Sequence, residues 1–338
     1  MSPEKRGYLR PPVEPMLASA RETIPGAGAL RGGLAMDLKW DGYRVLAFSP
    51  VRPGGPFLLQ TRRGALIQER FPDLVAAAAQ LPPGLVLDGE LLVLNGEGAM
   101  DFGALQRRAV TTAPRTVQTL AKAYPAYVVA FDVLQIHGQR VMAEPYEQRR
   151  DRLEGLFAGQ ALTPPWTLCP STRDPKVARE WLETWTRTPG VEGIVCKGLK
   201  QPYKPGTRGW LKVRARQSTE ALIGAITGTL GRPRLLVLGR YDGEGRLRYA
   251  GKTTEVPPAA ARQLSNQLTA AGPGTHPWEG ARFSSGWGTR DALDTTLIVP
   301  DQVAEVSVDT AQDRGVWRHP VRLARLRLDM PVDDVPSF

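Results

Sequence analysis

Five segments between residues 39 and 214 set acids, amines and guanidiniums at the ends of short apolar strands, and they constrain the chain most. They are Lys39-Trp40-Asp41-Gly42-Tyr43-Arg44, Arg62-Arg63-Gly64, Asp88-Gly89-Glu90 inside LVLDGELLVL, Glu192-Gly193-Ile194-Val195-Cys196-Lys197, and Trp210-Leu211-Lys212-Val213-Arg214. Each alone is a half-buried strand with polar ends. Recurring in order, they predict sheets that meet at one charged cleft. Asp242-Gly243, in RYDGEGRL, is read as only a turn.

The choice of cation sharpens this reading. The 44 basic residues include nine lysines and 35 arginines. Where any positive charge suffices, this chain uses Arg, so a Lys inside a motif marks a need for an amine. A lysine can shed its proton and act as a nucleophile, whereas a guanidinium stays charged. The formal net charge of +10 favours polyanionic partners. Two cysteines (Cys169, Cys196) and three scattered histidines (His137, His276, His319) exclude a disulfide scaffold and argue against a His/Cys metal site. No apolar run is long enough to span a bilayer, and MSPEKRGYLRPPVEPML has no apolar signal core. A soluble, cytoplasmic protein is expected.

Periodicity places the motifs. Residues 1–33 read as a Pro- and Gly-rich lead-in. GLAMDLKW (33–40) and YRVLAF (43–48) predict a hairpin around Asp41-Gly42, and LVLDGELLVL (85–94) a second strand pair around Asp88-Gly89. Strands are predicted at 57–62, 126–136, 191–197 and 209–215, and helices at 72–81, 100–109, 145–157 and 176–187. The character changes at Ala215–Ser218. Short strands follow, with one helix over 257–272, a Gly/Trp-rich loop, then strands within 297–309 and 319–329. Several short strands around one helix predict a small barrel of the OB type.

With these segments in place, the chain resembles the ATP-dependent DNA ligases of the covalent nucleotidyltransferase superfamily. KWDGYR, TRRG, LDGE, AFDVL, EGIVCK and WLKVR match successive motifs, and RGVWRHPVRLARLRLD is similar to the sixth, over roughly residues 12–330. The short form resembles the compact bacterial C-type ligases. The resemblance implies an α+β fold: a two-domain arrangement of an adenylation (nucleotidyltransferase) domain over 1–216, with ATP-grasp-like antiparallel sheets and helices, and an OB-fold β-barrel over 217–338. It implies nick sealing through a lysyl-AMP intermediate and 5′-adenylated DNA, in DNA repair. The implied partners are nicked double-stranded DNA and repair polymerases, with a monomeric protein that is nucleoid-associated when bound to DNA.

The same resemblance implies roles. Lys39 is the nucleophile that carries AMP, and Lys212 contacts the α-phosphate. Asp41 is both turn residue and polar residue of the cleft. Phe131 stacks on adenine, and Val195 or Ile194 packs on its other face. Asp37 and the backbone of Leu38 read the adenine amino group. Arg44 and Arg62 grip ribose or phosphate, and Arg62 or Lys197 alternatively meets the nick's 5′-phosphate. Glu192 is the metal ligand for Mg²⁺ or Mn²⁺, with Glu90 near the metal or on the ribose; hard oxygen donors suit such ions. Arg327 and Asp329 match charged positions of the sixth motif, which serves the pyrophosphate leaving group. Arg107, Arg108, Arg208, Arg232 and Arg234 form a DNA backbone track. Two positions depart from the family pattern: Arg214 stands for a second Lys, and Met330 for the terminal Lys of R-x-D-K.

Two rival readings remain. RNA ligases and mRNA capping guanylyltransferases share the Lys-x-Asp-Gly chemistry, although the RHP-containing sixth motif favours DNA ligase. A non-catalytic nucleic-acid-binding protein with a degenerate transferase domain is opposed by the intact Lys39, Glu192 and Lys212.

Overall fold

A computed structural model describes residues 7–52, 54–160, 162–187, 190–284, 291–309 and 311–338. The chain forms two compact units, Met1–Ala215 and Arg216–Phe338.

The first unit contains two sheets. One has the order β1 (Leu17–Arg21), β11 (Arg208–Arg214), β10 (Val191–Gly198), β2 (Leu34–Trp40), β9 (Ser171–Thr172). The other has the order β4 (Leu58–Thr61), β3 (Tyr43–Phe48), β5 (Val86–Val93), β6 (Ala126–Ile136), β7 (Gln139–Arg140), with β8 (Trp166–Leu168) parallel to β6. Period-2 alternation divides each strand between two environments. In β2, Leu34, Met36 and Leu38 pack with Trp181 of helix α5 (Pro175–Glu183), while Asp37 and Lys39 take the opposite face. Helices α1 (Pro72–Ala77), α2 (Phe102–Val110) and α4 (Tyr146–Gly159) cover the second sheet through Leu74, Leu105 and Leu153, and α3 (Pro114–Ala123) packs on α1 and α2. Met16, Leu46, Phe48, Val86, Leu134, Tyr203 and Trp210 form a further cluster that joins the two sheets.

Three local expectations are corrected. Asp41-Gly42 is no hairpin: β2 pairs with β10 and β9, and β3 with β4 and β5, so the chain crosses between sheets there. A Cβ on Gly42 would sit 2.4 Å from the Leu91 carbonyl, so this crossing lies against β5 and requires glycine. Asp88-Gly89 is not a turn either, because β5 runs unbroken from Val86 to Val93 and absorbs the pair as a bulge against β6. The lead-in contains β1, whose LASAR sequence lacks an alternating apolar pattern and is held by parallel pairing with β11.

The second unit is an antiparallel sheet of order β14 (Leu247–Lys252), β13 (Arg232–Tyr241), β12 (Arg216–Thr229), β16 (Val303–Asp309), β19 (Arg322–Leu326), with β15 (Thr296–Leu297) also on β12. Its two edges meet just beyond β14 and before β19, where Thr253 bridges Val321 and the Val321 N–H donates to the Lys252 carbonyl at 2.9 Å. Helix α6 (Pro258–Ser265) packs on the interior through Ala261 and Leu264. The predicted helix over 257–272 stops at Ser265, because Thr269–Ala271 bond to the segment around Leu297–Val299 instead. Two further hairpin strands, β17 (Gln312–Asp313) and β18 (Val316–Trp317), complete the unit. Part of the predicted Gly/Trp-rich loop, 285–290, lies outside the described residues.

Candidate active site

Strand register assembles the site in the first unit. Across β2, β10 and β11, Lys39, Gly193 and Arg214 stand in one row, and Asp37, Val195 and Lys212 in the next row on the same face. Gly193 is required there: a Cβ would lie 2.1 Å from the Val213 carbonyl. The register shift between Val191 and Gly193 turns the neighbouring Glu192 into this face, where it pairs with Lys39 and lies 3.3 Å from Arg214. From the second sheet, β3 and β5 supply Arg44, Asp88 and Glu90, and β6 supplies Phe131.

Charge is concentrated and desolvated here. Glu192 is 2% exposed. Burial alone would raise its pKa, but Lys39 and Arg214 outweigh that and hold the carboxyl down at about 2. Glu90 shows the reverse: burial pushes it up to about 8 against the pull of Lys39 and Arg44. Lys212 is lowered, first by burial and then by the like charges of Arg214 and Lys39. Lys39, Lys212 and Arg214 thus form a cationic floor around one carboxylate. Exposed Arg62 follows β4, with its N–H on the Arg44 carbonyl at 3.2 Å.

Phe131 is partly buried between this floor and the apolar cluster, edge-on to Trp210 at 6.1 Å between centroids. The Arg44 guanidinium lies 5.2 Å from the Phe131 ring and 5.0 Å from the Trp210 ring. Its bonds go largely to the protein: to Asp88 at 2.9 and 2.6 Å and to the Met16 carbonyl at 2.5 Å. Tyr203 donates to the same Asp88 at 2.7 Å. Asp88 belongs to a segment expected at the cleft, but its pairing with Arg44 and the parts of Tyr203 and Met16 lie outside that reading. The arginine's partner could be guessed from LDGE, but nothing in the sequence marks a tyrosine 115 residues away from Asp88.

Two expectations about these residues change. Lys197 is no strand-end cation open to a nick: it is 1% exposed, paired with Asp37 at 2.7 Å and bonded to the Phe131 carbonyl at 2.8 Å. The backbone N–H of Leu38 donates to the Pro170 carbonyl at 3.2 Å, and its carbonyl accepts from the Cys169 thiol at 3.4 Å, which leaves that carbonyl a second lone pair. Arg108 is 1% exposed and chelates Asp73 at 2.6 and 2.9 Å, so it belongs to the core rather than to a DNA track. Arg327 and Asp329 lie in the second unit, bonded to each other at 2.9 Å, with Glu220 at 3.2 Å from Arg327. Met330 packs with Tyr241, Val332 and Val335 against an apolar cluster, which accounts for an apolar residue where the family has Lys.

The family of ATP-dependent DNA ligase domains matches residues 15–214. DNA ligase C2 of Mycolicibacterium smegmatis is 32% identical, covering 94% of this chain and 91% of that protein. DNA ligase C of Mycobacterium tuberculosis is 29% identical, covering 95% of this chain and 91% of that protein. Among solved structures, a mycobacterial DNA ligase D complexed with ATP and MES shares 25% identity at a TM-score of 0.51, covering 96% of this chain and 98% of that one. Fold and site together define a nucleotidyltransferase with a lysine at its centre. The chain belongs to the ATP-dependent DNA ligase family, enzymes that join DNA strands using ATP. Among the described residues, no helix is long and apolar enough to cross a membrane.

Proposed function

We propose that this protein seals nicks in duplex DNA through an AMP adduct on Lys39, and that it serves DNA repair. The carrying observation is the row Lys39–Gly193–Arg214 beside Asp37–Val195–Lys212, with Glu192 against it and Phe131 nearby. In the first step the Lys39 amine attacks the α-phosphorus of ATP. A P–N bond forms, the bond to the β-phosphate oxygen breaks, pyrophosphate departs, and the amine loses a proton. Next an oxygen of the nick's 5′-phosphate attacks the AMP phosphorus, and the P–N bond breaks with its electrons returning to Lys39. Last, the 3′-hydroxyl attacks the activated phosphorus and AMP leaves.

The chain's own groups suit this sequence. Lys212 and Arg214 set positive charge where the α-phosphate gains negative charge, and a fixed charge stabilises such a transition state without reorganisation. Phe131 and Val195 would hold adenine between them. Asp37 would accept from its amino group. Arg44, fixed by Asp88, forms the wall beside Phe131. Arg62 stands at the exposed edge, suited to the nick's phosphate.

The donor set fits Mg²⁺ or Mn²⁺. Glu192 and Glu90 offer hard oxygens beside Lys39, while the described residues hold no group of three His, Cys, Asp or Glu able to bind an ion by themselves. Such ions characteristically use one or two carboxylates together with substrate phosphates. When bound, the metal would neutralise phosphate charge.

We read 1–216 as the adenylation domain and 217–338 as an OB-fold domain; the edge-to-edge bridge at Thr253 and Val321 supports a closed barrel. The test is ATP-dependent joining of a 5′-phosphorylated nick, assayed beside RNA-containing nicks and with GTP in place of ATP. DNA sealing with ATP alone is expected. Joining confined to RNA ends, or labelling by GTP, would favour the RNA-directed reading.

A further inference from the structure

Tyr146 opens α4 and is 1% exposed, yet it brings a hydroxyl into the interior. A buried hydroxyl without a partner is destabilising. This one donates to both oxygens of Asp37, at 3.1 and 3.0 Å. Asp37 already has a counter-charge, because the Lys197 ammonium is 2.7 Å from its Oδ2. That ammonium also donates to the Phe131 carbonyl at 2.8 Å and lies 4.7 Å from the centre of the Tyr146 ring. One node therefore ties α4, β2, β10 and β6 together two residues from Lys39.

The second donor is unnecessary for neutralisation. What it adds is direction. The terminal torsion of an aspartate is broad, so one contact to Oδ2 leaves the carboxylate plane free to turn. A hydroxyl that spans both oxygens fixes that plane. A carboxylate has more acceptor positions than these two donors occupy, so a fixed plane also fixes where the remaining lone pairs of this buried group point. Burial, reinforced by Asp37 and Asp132, holds the Tyr146 hydroxyl well above its ordinary range, so it acts as a donor at any working pH.

We propose that Tyr146 is a positioning residue for base selection: by fixing the plane of Asp37 it aims a remaining lone pair at the exocyclic amine of adenine. Guanine carries a carbonyl oxygen at that edge, which a carboxylate repels. The proposal rests on the reading that Asp37 faces the base. The Tyr146 ring also faces the Lys197 ammonium and the Arg149 guanidinium, the latter 5.5 Å from the ring centre, and loss of the hydroxyl leaves those ring contacts in place.

The experiment measures self-adenylation of the full chain against ATP and GTP concentration, for the parent, Asp37→Ala and Tyr146→Phe. Tyr146→Phe is expected to raise KM for ATP about 10-fold, as for a lost hydrogen bond to a charged group. It should lower the ATP-over-GTP preference by a similar factor and leave the rate at saturating ATP nearly unchanged. Asp37→Ala should relax the preference at least as far. If Asp37→Ala relaxes it and Tyr146→Phe does not, the positioning role is overturned while the reading of Asp37 stands. If neither relaxes it, the reading of Asp37 falls and the proposal with it. If Tyr146→Phe instead lowers the saturated rate with KM unchanged, the hydroxyl serves the fold and the proposal is overturned. Should Tyr146→Phe fail to fold, 4-fluorophenylalanine at 146 carries the test: it fills the space of the hydroxyl but removes the donor, so an unchanged preference overturns the proposal.

Discussion

Asp132→Ala should destabilise the first unit more than almost any other single change. Asp132 and Arg149 form an ion pair with neither side chain exposed. The Arg149 Nε and Nη2 meet the two carboxylate oxygens at 2.8 and 2.9 Å. Its Nη1 bonds the carbonyls of Glu144 at 2.7 Å and Gln201 at 3.1 Å. Removing Asp132 strands a desolvated guanidinium with those carbonyls and the rings of Tyr146 and Tyr203 but no counter-charge, and breaking a buried pair in this way costs about 3–5 kcal/mol. Arg149→Met strands the carboxylate and should cost a similar amount. The double variant should not sum the two, because neither leaves a lone buried charge; it loses mainly the two carbonyl bonds, about 1 kcal/mol each. A coupling energy above about 2 kcal/mol is thus expected from the cycle. Two compact units make a single unfolding transition an unsafe measure. Hydrogen exchange of peptides from β6 (Ala126–Ile136) reads the opening of the first unit directly. A change below about 1 kcal/mol for Asp132→Ala, or strict additivity in the cycle, would refute the reasoning.

Three further outcomes can be measured. Lys212→Met should slow adduct formation by about 100-fold or more, as for removal of a preorganised charge at a developing anion, while Lys212→Arg should recover part of the rate in the same single-turnover assay. The resemblance to the sixth ligase motif predicts that Arg327→Ala suppresses self-adenylation more than closure of a nick that already carries 5′-AMP, since pyrophosphate leaves only in the first step; equal losses would end that reading. Burial pushes the thiols of Cys169 and Cys196 up to about 12. The folded state therefore holds protons that the unfolded chain releases from about pH 8.5 upward, so stability is whole below that pH and falls up to about pH 12, by about 1.4 kcal/mol per pH unit for each thiol. Urea titrations should show the loss, and Cys169→Ala with Cys196→Ala should flatten it between about pH 8.5 and 10; above that the raised hydroxyls of Tyr146 and Tyr203 add a loss of the same sign.

The sequence disclosed the chemistry more readily than the connections that hold it. Strands such as Ala126–Ile136 and Val191–Gly198 were legible because buried apolar runs have a clear pattern, and the charged groups at their ends named the site. Asp41-Gly42 and Asp88-Gly89 looked like hairpin turns because a dipeptide signal is local. Which sheet each strand joins is decided by partners elsewhere in the chain, here β10 for β2 and β5 for β3. Lys197 failed for the same reason: a lysine at a strand end reads as solvated until a carboxylate, a carbonyl and three aromatic rings close around it. Tyr146, Tyr203 and Arg149 carry no motif, because their partners Asp37, Asp88 and Asp132 are distant in sequence. Met330 departs from the family pattern, and only its apolar neighbours explain the residue present.

The most direct test of the central claim is to incubate the protein with ATP and Mg²⁺, record the intact mass, and map any added AMP by digestion. One AMP on Lys39 is expected, lost on adding pyrophosphate or nicked DNA. It should be absent from both Lys39→Ala and Lys39→Arg, because a guanidinium keeps its proton. AMP on another lysine, or an adduct that survives Lys39→Arg, would contradict the account.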